Sequence, residues 1–271
     1  MMRATVVVDN IQQDGVSGEW GLCIYIERDG RRFLLDAGAS GLFAENAPKL
    51  GIALQDVDYA VLSHAHYDHA NGMKAFFEKN SKASFWLQED CGEDCYWKQW
   101  IFRKYIGIPK HILTDYRDRI CFVKGKTQLC EGVYLLPHTT PGLESIGKRE
   151  KMYRRKKDGW FPDNFSHEQS LVFETERGLV IFNSCSHGGA VNIIHEAEQA
   201  FPGEKVYGLI GGFHLFNKPE SEIREVGRLI RETGIGYVCT GHCTKGRAYG
   251  ILKQELGDVL HQLHVGLVME L

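Results

Sequence analysis

The sequence predicts a layered α/β fold, and three observations carry that expectation. Strand-like and helix-like runs alternate over most of the chain. Four β-runs end in small-residue turns that contain histidine, and one of those turns gathers four metal-ligand side chains within six residues. In layered α/β proteins ligands collect at the carboxyl ends of strands, so histidines at four such ends can converge on one point.

Taken in order, residues 4–8, 21–27 and 32–36 are β-rich and separated by turns containing Gly and Asp, the pattern of a meander. A helix is predicted over 42–50, a short buried strand over 59–62, and a short helix over 72–79 with Met73, Phe76 and Phe77 on one face. Further strands are predicted over 83–87, 133–136, 170–174 and 179–182. Helix 190–200, strand 206–210, helix 220–232, strand 236–239, helix 247–256 and a closing strand over 266–270 complete the series. Between about residues 88 and 166 the alternation breaks in a stretch rich in aromatics and charge. It is read as an insertion over the site, within a single domain spanning residues 1–271.

Composition narrows the function classes. With 43% hydrophobic and 25% charged residues the chain reads as a globular protein able to bury a full core. A net charge of −3 gives no reason to expect a nucleic-acid or membrane partner, and no apolar run approaches the roughly 20 residues that span a bilayer. The first residues read as a strand rather than a secretory leader, so the expected location is cytoplasmic and the eight cysteines are expected as reduced thiols.

The histidine turns carry the chemistry. They follow Tyr59–Leu62 (ending at His64), Leu179–Phe182 (ending at His187), Tyr207–Ile210 (ending at His214) and Tyr237–Cys239 (ending at His242). The densest is His64-Ala65-His66-Tyr67-Asp68-His69. Alternation places His64 and His66 on one side of an extended segment, and Asp68 with His69 follows as the chain turns into a helix. Four ligands in six residues exceed what one tetrahedral ion takes from a single loop, so two adjacent ions are expected. Imidazole and carboxylate donors suit zinc first, with manganese or iron as alternatives.

His-x-His-x-Asp-His after an apolar strand and Ser63, with Leu34-Leu35-Asp36-Ala37-Gly38 upstream, resembles the metallo-β-lactamase superfamily. Within it, the sequence is similar to the 7,8-dihydropterin-6-methyl-4-(β-D-ribofuranosyl)-aminobenzene-5'-phosphate synthase-like branch. That similarity extends through Cys185-Ser186-His187, Gly211-Gly212-Phe213-His214-Leu215 and Gly241-His242-Cys243-Thr244. The resemblance, with the alternation of elements, implies a four-layer αββα sandwich with two mixed β-sheets between outer helices. It implies that His64, His66 and His187 hold one metal and that Asp68, His69 and His242 hold the second. Asp36 would orient a ligating imidazole from behind. The implied activity is hydrolysis by a metal-activated hydroxide, with Asp68 and His214 as catalytic residues, on a phosphoester or phosphorylated heteroaromatic small molecule.

The chain also departs from that branch. His167 stands where an acidic residue is expected before Glu168-Gln169, and it is either a ligand in place of His187 or a substrate contact. No bridging Asp follows the strand ending at Phe182, and Cys185 or Ser186 is the candidate replacement. The basic run containing Arg154 and Arg155, with Trp160 beside it, is read as a phosphate-attracting lid over an anionic substrate. His138 is read as a loop residue. Two other function classes stay open: an iron-dependent oxidoreductase or thiol dioxygenase of the same fold, and a metal-stabilised binding protein without turnover.

Overall fold

The computed structural model describes residues 2–271. Strands β1 (Met2–Val8), β2 (Cys23–Arg28) and β3 (Arg31–Leu35) form the antiparallel meander. Helix α1 (Leu42–Lys49) leads to β4 (Tyr59–Val61), which pairs with β3 in parallel. Helices α2 (Tyr67–Ala70) and α3 (Met73–Lys79) precede β5 (Phe85–Gln88), hairpin β6 (Cys95–Gln99) and β7 (Phe102–Tyr105), α4 (Ile112–Asp115) and β8 (Ile120–Val123). Next come β9 (Thr127–Cys130), β10 (Val133–Pro137), α5 (Glu144–Glu150), β11 (Met152–Lys156), β12 (Gly159–Pro162), β13 (Gln169–Thr175) and β14 (Gly178–Phe182). The chain finishes with α6 (Ala190–Ala200), β15 (Val206–Gly211), α7 (Glu220–Glu232), β16 (Tyr237–Thr240), α8 (Lys245–Leu256), β17 (Leu260–Gln262) and β18 (Val268–Glu270).

Two seven-stranded mixed sheets result, in orders β18-β1-β2-β3-β4-β5-β8 and β17-β16-β15-β14-β13-β10-β9. Alternation along the strands sends one set of side chains to the space between the sheets: Ile24, Phe33 and Val61 from the first meet Leu171, Phe173, Phe182 and Ile210 from the second. The opposite set faces helices. Phe43, Met73 and Phe76 cover the first sheet, and Ile193, Ile223, Ile230 and Leu252 cover the second. The four-layer αββα sandwich is therefore present, with its layers set by strand alternation and helix amphipathicity. In α7 the buried residues Ile223, Gly227 and Ile230 recur at helical spacing, while Arg224 and Arg228 pair with Glu220 and Glu232 on the outer face. β14 is buried at every position because sheet and helices cover both its faces.

The 88–166 stretch is not one unit. β8 extends the first sheet and β9 and β10 belong to the second, while β12-β11-β6-β7 form a separate four-stranded sheet. β10 is the strand expected over 133–136; the others are runs of only four or five residues, too short to declare a period. Among the described residues, no helix is long and apolar enough to cross a membrane.

Phe173 sits between the sheets, edge-on to Phe33 at 5.3 Å and to Phe182 at 5.7 Å. Phe173→Ala should cost about 3–5 kcal/mol in denaturant-melt stability, since a void there cannot collapse without moving both sheets.

Candidate metal centre

The parallel strands β4, β14, β15 and β16 bring their carboxyl ends to one edge of the sandwich, and the turns that follow carry His64, His187, His214 and His242. Backbone at Asp36, Ser186, His214 and His242 lies at φ between 47° and 61°. Non-glycine residues rarely adopt that region, and the surrounding packing has to hold them there.

Asp36, fully buried at the end of β3, organises the first of these turns. Its Oδ1 accepts from the Ser63 N–H at 2.7 Å and its Oδ2 accepts from the Ser63 hydroxyl at 2.7 Å. The same Oδ2 accepts from His69 Nδ1 at 2.7 Å. With its one proton given to the carboxylate, Ser63 Oγ can only accept from His64 Nδ1, 2.8 Å away. Both imidazoles are thereby fixed with the proton on Nδ1 and the lone pair on Nε2.

Two donor sets follow. In the first, His66 Nδ1 and His187 Nε2 face each other at 3.1 Å, beside a buried His64 Nε2 that has no hydrogen-bond partner. In the second, His69 Nε2 and His242 Nε2 stand 3.2 Å apart, with Asp68 Oδ2 at 3.8 Å and 3.6 Å from them. Cys185 Sγ lies 3.2 Å from His69 Nε2 and groups with His64 and His187 as well as with His69 and His242. Burial, reinforced by neighbouring imidazoles, holds His64 and His187 well below the ordinary histidine range. Burial also pushes His66 down to about 3. Burial works against the Asp68 charge, yet His69 and His242 hold its carboxyl below the usual range. Imidazoles, one carboxylate and a thiol, with lone pairs converging and a buried ring nitrogen unpartnered on each of His64, His66 and His187, fit divalent metal ions of intermediate softness.

Each ligating segment has its own buried support. Asp9 Oδ2 accepts from the His242 N–H at 2.9 Å, and the Asn10 amide donates to the His242 carbonyl at 2.9 Å. Trp20 packs on the His242 ring at 4.9 Å and Phe165 stacks on His187 at 4.9 Å. Glu168 accepts from the N–H groups of His187 and Gly188, both at 3.1 Å. Sequence reasoning missed these supports. The one local signal was Asp9-Asn10 directly after the apolar first strand.

The remaining candidates take several places around the site. His167 accepts from the Ala65 N–H through Nδ1 at 3.1 Å and pairs with Asp163 through Nε2 at 3.1 Å, and with His66, Cys95 and Asp163 it forms a further buried group of potential ligands. His138 lies in the loop directly after β10, as expected, but it is not a free surface residue. Its ring bridges Glu168 and Glu196 with 4% of the side chain exposed, and a Cβ on Gly188 would stand 2.3 Å from it. Arg154 is a buried structural residue, bound to the Asp94 carboxylate and donating to the Asp90 carbonyl at 2.6 Å. Arg155 and Trp160 pair across β11 and β12, and Arg155 lies over the indole at 5.5 Å. Alternation puts them on the face of the small sheet opposite Met152 and away from the cleft. Ser186 Oγ is buried without a partner.

The cleft itself, about 390 Å³, reaches down to His66, Asp68, Cys185 and His187 of the candidate ligand sets. Its walls are Trp20, Tyr67, Trp97, Lys104, Ile106, Met152, His214, Phe216 and Cys243. The small sheet is tied to the ligand segment through the Tyr67 N–H, which donates to the Ile106 carbonyl at 2.9 Å. His214 projects into this cleft with its ring 4.5 Å from that of His187 and its Nδ1 unpaired.

Two measurements check this construction. Asp9→Ala should weaken metal binding at the Asp68–His69–His242 set by about 10–100-fold and leave the other set near its native affinity, as read by metal titration. For His138, burial opposes the charge but Glu168 and Glu196 outweigh it and push the pKa from 6.5 up to about 10. Its contribution to stability is fully present below pH 6.5 and is lost as pH rises through about 10. Burial raises the Glu168 and Glu196 pKa values, but His138 pairing leaves both below 4.5, so theirs is present above pH 4.5 and lost on acidification. His138→Gln should therefore flatten the decline in melting temperature between neutral pH and pH 10.

Comparison with known proteins agrees with the geometry. Residues 21–156 match the family model of the Metallo-beta-lactamase superfamily. Over 261 residues, 91% of this chain and 87% of the relative, the sequence is 26% identical to the 7,8-dihydropterin-6-methyl-4-(beta-D-ribofuranosyl)-aminobenzene-5'-phosphate synthase of Methanocaldococcus jannaschii. An uncharacterized protein of the same organism is 24% identical over 270 residues, 97% of this chain and 98% of that one. The crystal structure of a metal-dependent hydrolase of the beta-lactamase superfamily superposes with a TM-score of 0.86 at 28% identity, covering 100% of this chain and 99% of that one. Ligand sets, layers and sequence agree: this chain belongs to the metallo-β-lactamase superfamily.

Proposed function

We propose that the protein is a dinuclear metal-dependent hydrolase that cleaves a phosphoester in a small, anionic, aromatic substrate. The observation that carries the reading is the pair of donor sets beside one aromatic cleft, with Cys185 Sγ common to both. Cys185 takes the place a bridging carboxylate would otherwise fill. Divalent cations bound there, zinc first and manganese or iron as alternatives, supply Lewis acidity and lower the pKa of water toward neutrality.

The chain's own residues do the rest. Asp68 is held as a carboxylate at the cleft and accepts a hydrogen bond from the attacking water, orienting it. His214, which also lines the cleft, donates a proton to the departing oxygen. Lys104 offsets phosphate charge, and Trp20, Trp97 and Phe216 offer flat apolar surfaces to a ring. The relative from Methanocaldococcus jannaschii has a pterin and a phosphate in its name, which favours the same substrate class. Its designation as a synthase leaves the direction and partner of the reaction to experiment.

The test combines metal analysis of protein purified without chelators with turnover of a chromogenic aryl phosphodiester. About two equivalents of metal are expected, and His214→Ala should lower kcat by about 10²–10⁴-fold with metal content unchanged. Asp68→Ala should abolish turnover. One equivalent of iron and no phosphoesterase activity would put the oxidoreductase reading in its place. Ligand affinity with no turnover in the wild type would point to a binding protein.

A further inference from the structure

Cys243 has no part in the proposed hydrolysis, yet it is placed with care. Its Sγ stands 3.5 Å from Cys185 Sγ, accepts from the His214 N–H at 3.2 Å, and borders the same cleft. The two cysteines lie on different strand-end turns, after β14 and after β16, and each is at most 3% exposed. Buried against protein on one side and open to the cleft on the other, the sulfurs are within reach of a reagent no larger than a peroxide. A disulfide requires the sulfurs to close to about 2.05 Å, a movement of side chains already aimed at each other.

We propose that Cys185 and Cys243 form a peroxide-reactive dithiol whose oxidation dismantles the metal centre; this rests on the reading above that Cys185 is a ligand. The balance is simple. One thiol sulfur attacks a peroxide oxygen, giving a sulfenic acid and releasing water from hydrogen peroxide. The second thiol attacks that sulfur, forms the S–S bond and releases a second water. With Cys185 as a thiolate, the two sulfurs lose two electrons in total and the peroxide gains them; Cys243 gives one proton, solvent gives the other, and both leave in water. The disulfide no longer offers Cys185 Sγ as a thiolate, so both donor sets lose the ligand they share. A thiol reductant reverses the step.

The test uses the metal-loaded full chain, hydrogen peroxide and a colorimetric chelator for released metal. Loss of two thiols, release of metal in the same time course and a non-reduced peptide linking Cys185 to Cys243 are expected, with all three reversed by a dithiol plus added metal. Cys243→Ser should hold its metal before oxidation and release it at least about tenfold more slowly under peroxide. Unlinked peptides, or equal release from Cys243→Ser, would overturn the proposal. So would a Cys243→Ser protein already short of metal, since Cys243 would then be a ligand. A wild-type protein that carries no metal at the outset would refute the metal centre itself, and the peptide map still judges the thiol pair independently.

Discussion

The Asp36 carboxylate is the point on which the centre depends. It is fully buried, and an isolated buried charge costs several kcal/mol, so its retention has to be matched by the donors it receives. It receives three: the Ser63 amide, the Ser63 hydroxyl and His69 Nδ1. Through Ser63 Oγ it also decides the tautomer of His64. One carboxylate therefore presents a lone pair from a histidine in each donor set. A neutral amide in its place would offer a donor where two donors already point, sending the His69 proton to Nε2, where a metal needs a lone pair.

The same device recurs around the site. Asp9 holds the His242 turn, Glu168 the His187 turn, and Asp163 acts through His167 on Ala65. Each ligating segment is anchored by a buried acid acting on its backbone, and three of the four anchors come from distant parts of the chain. These anchors hold backbone at Ser186 and His242 in conformations that local sequence does not favour. His138 then closes the arrangement by bridging Glu168 and Glu196 and offsetting part of their charge. The candidate ligands are thus positioned by buried acids that hold their backbone.

The layers and the ligand cluster were legible because both are local patterns. Apolar alternation marks β1 to β3, helical spacing marks α7, and His64 to His69 declare themselves within six residues. Asp36 was legible through the resemblance of Leu34-Leu35-Asp36-Ala37-Gly38 to the superfamily's motif. What stayed hidden was long-range. Whether Arg154 meets a substrate or Asp94 depends on which neighbour folds beside it, and sequence carries no sign of that. His167 and His138 lie in ordinary-looking turns, and only tertiary contact shows both of their ring nitrogens engaged. The four strands of the small sheet are only four or five residues long, and β7 and β11 place adjacent basic residues on both faces, so β6, β7, β11 and β12 give no clean period of two and passed as irregular chain.

The central claim is that one carboxylate sets up both donor sets. Calorimetric titration of zinc into metal-free wild type and Asp36→Asn tests it most directly. Both binding events should weaken in the variant, each by about 10–100-fold, with circular dichroism unchanged. A variant that loses only the Asp68–His69–His242 event, or neither, would show that Asp36 does not control His64 and would contradict the account.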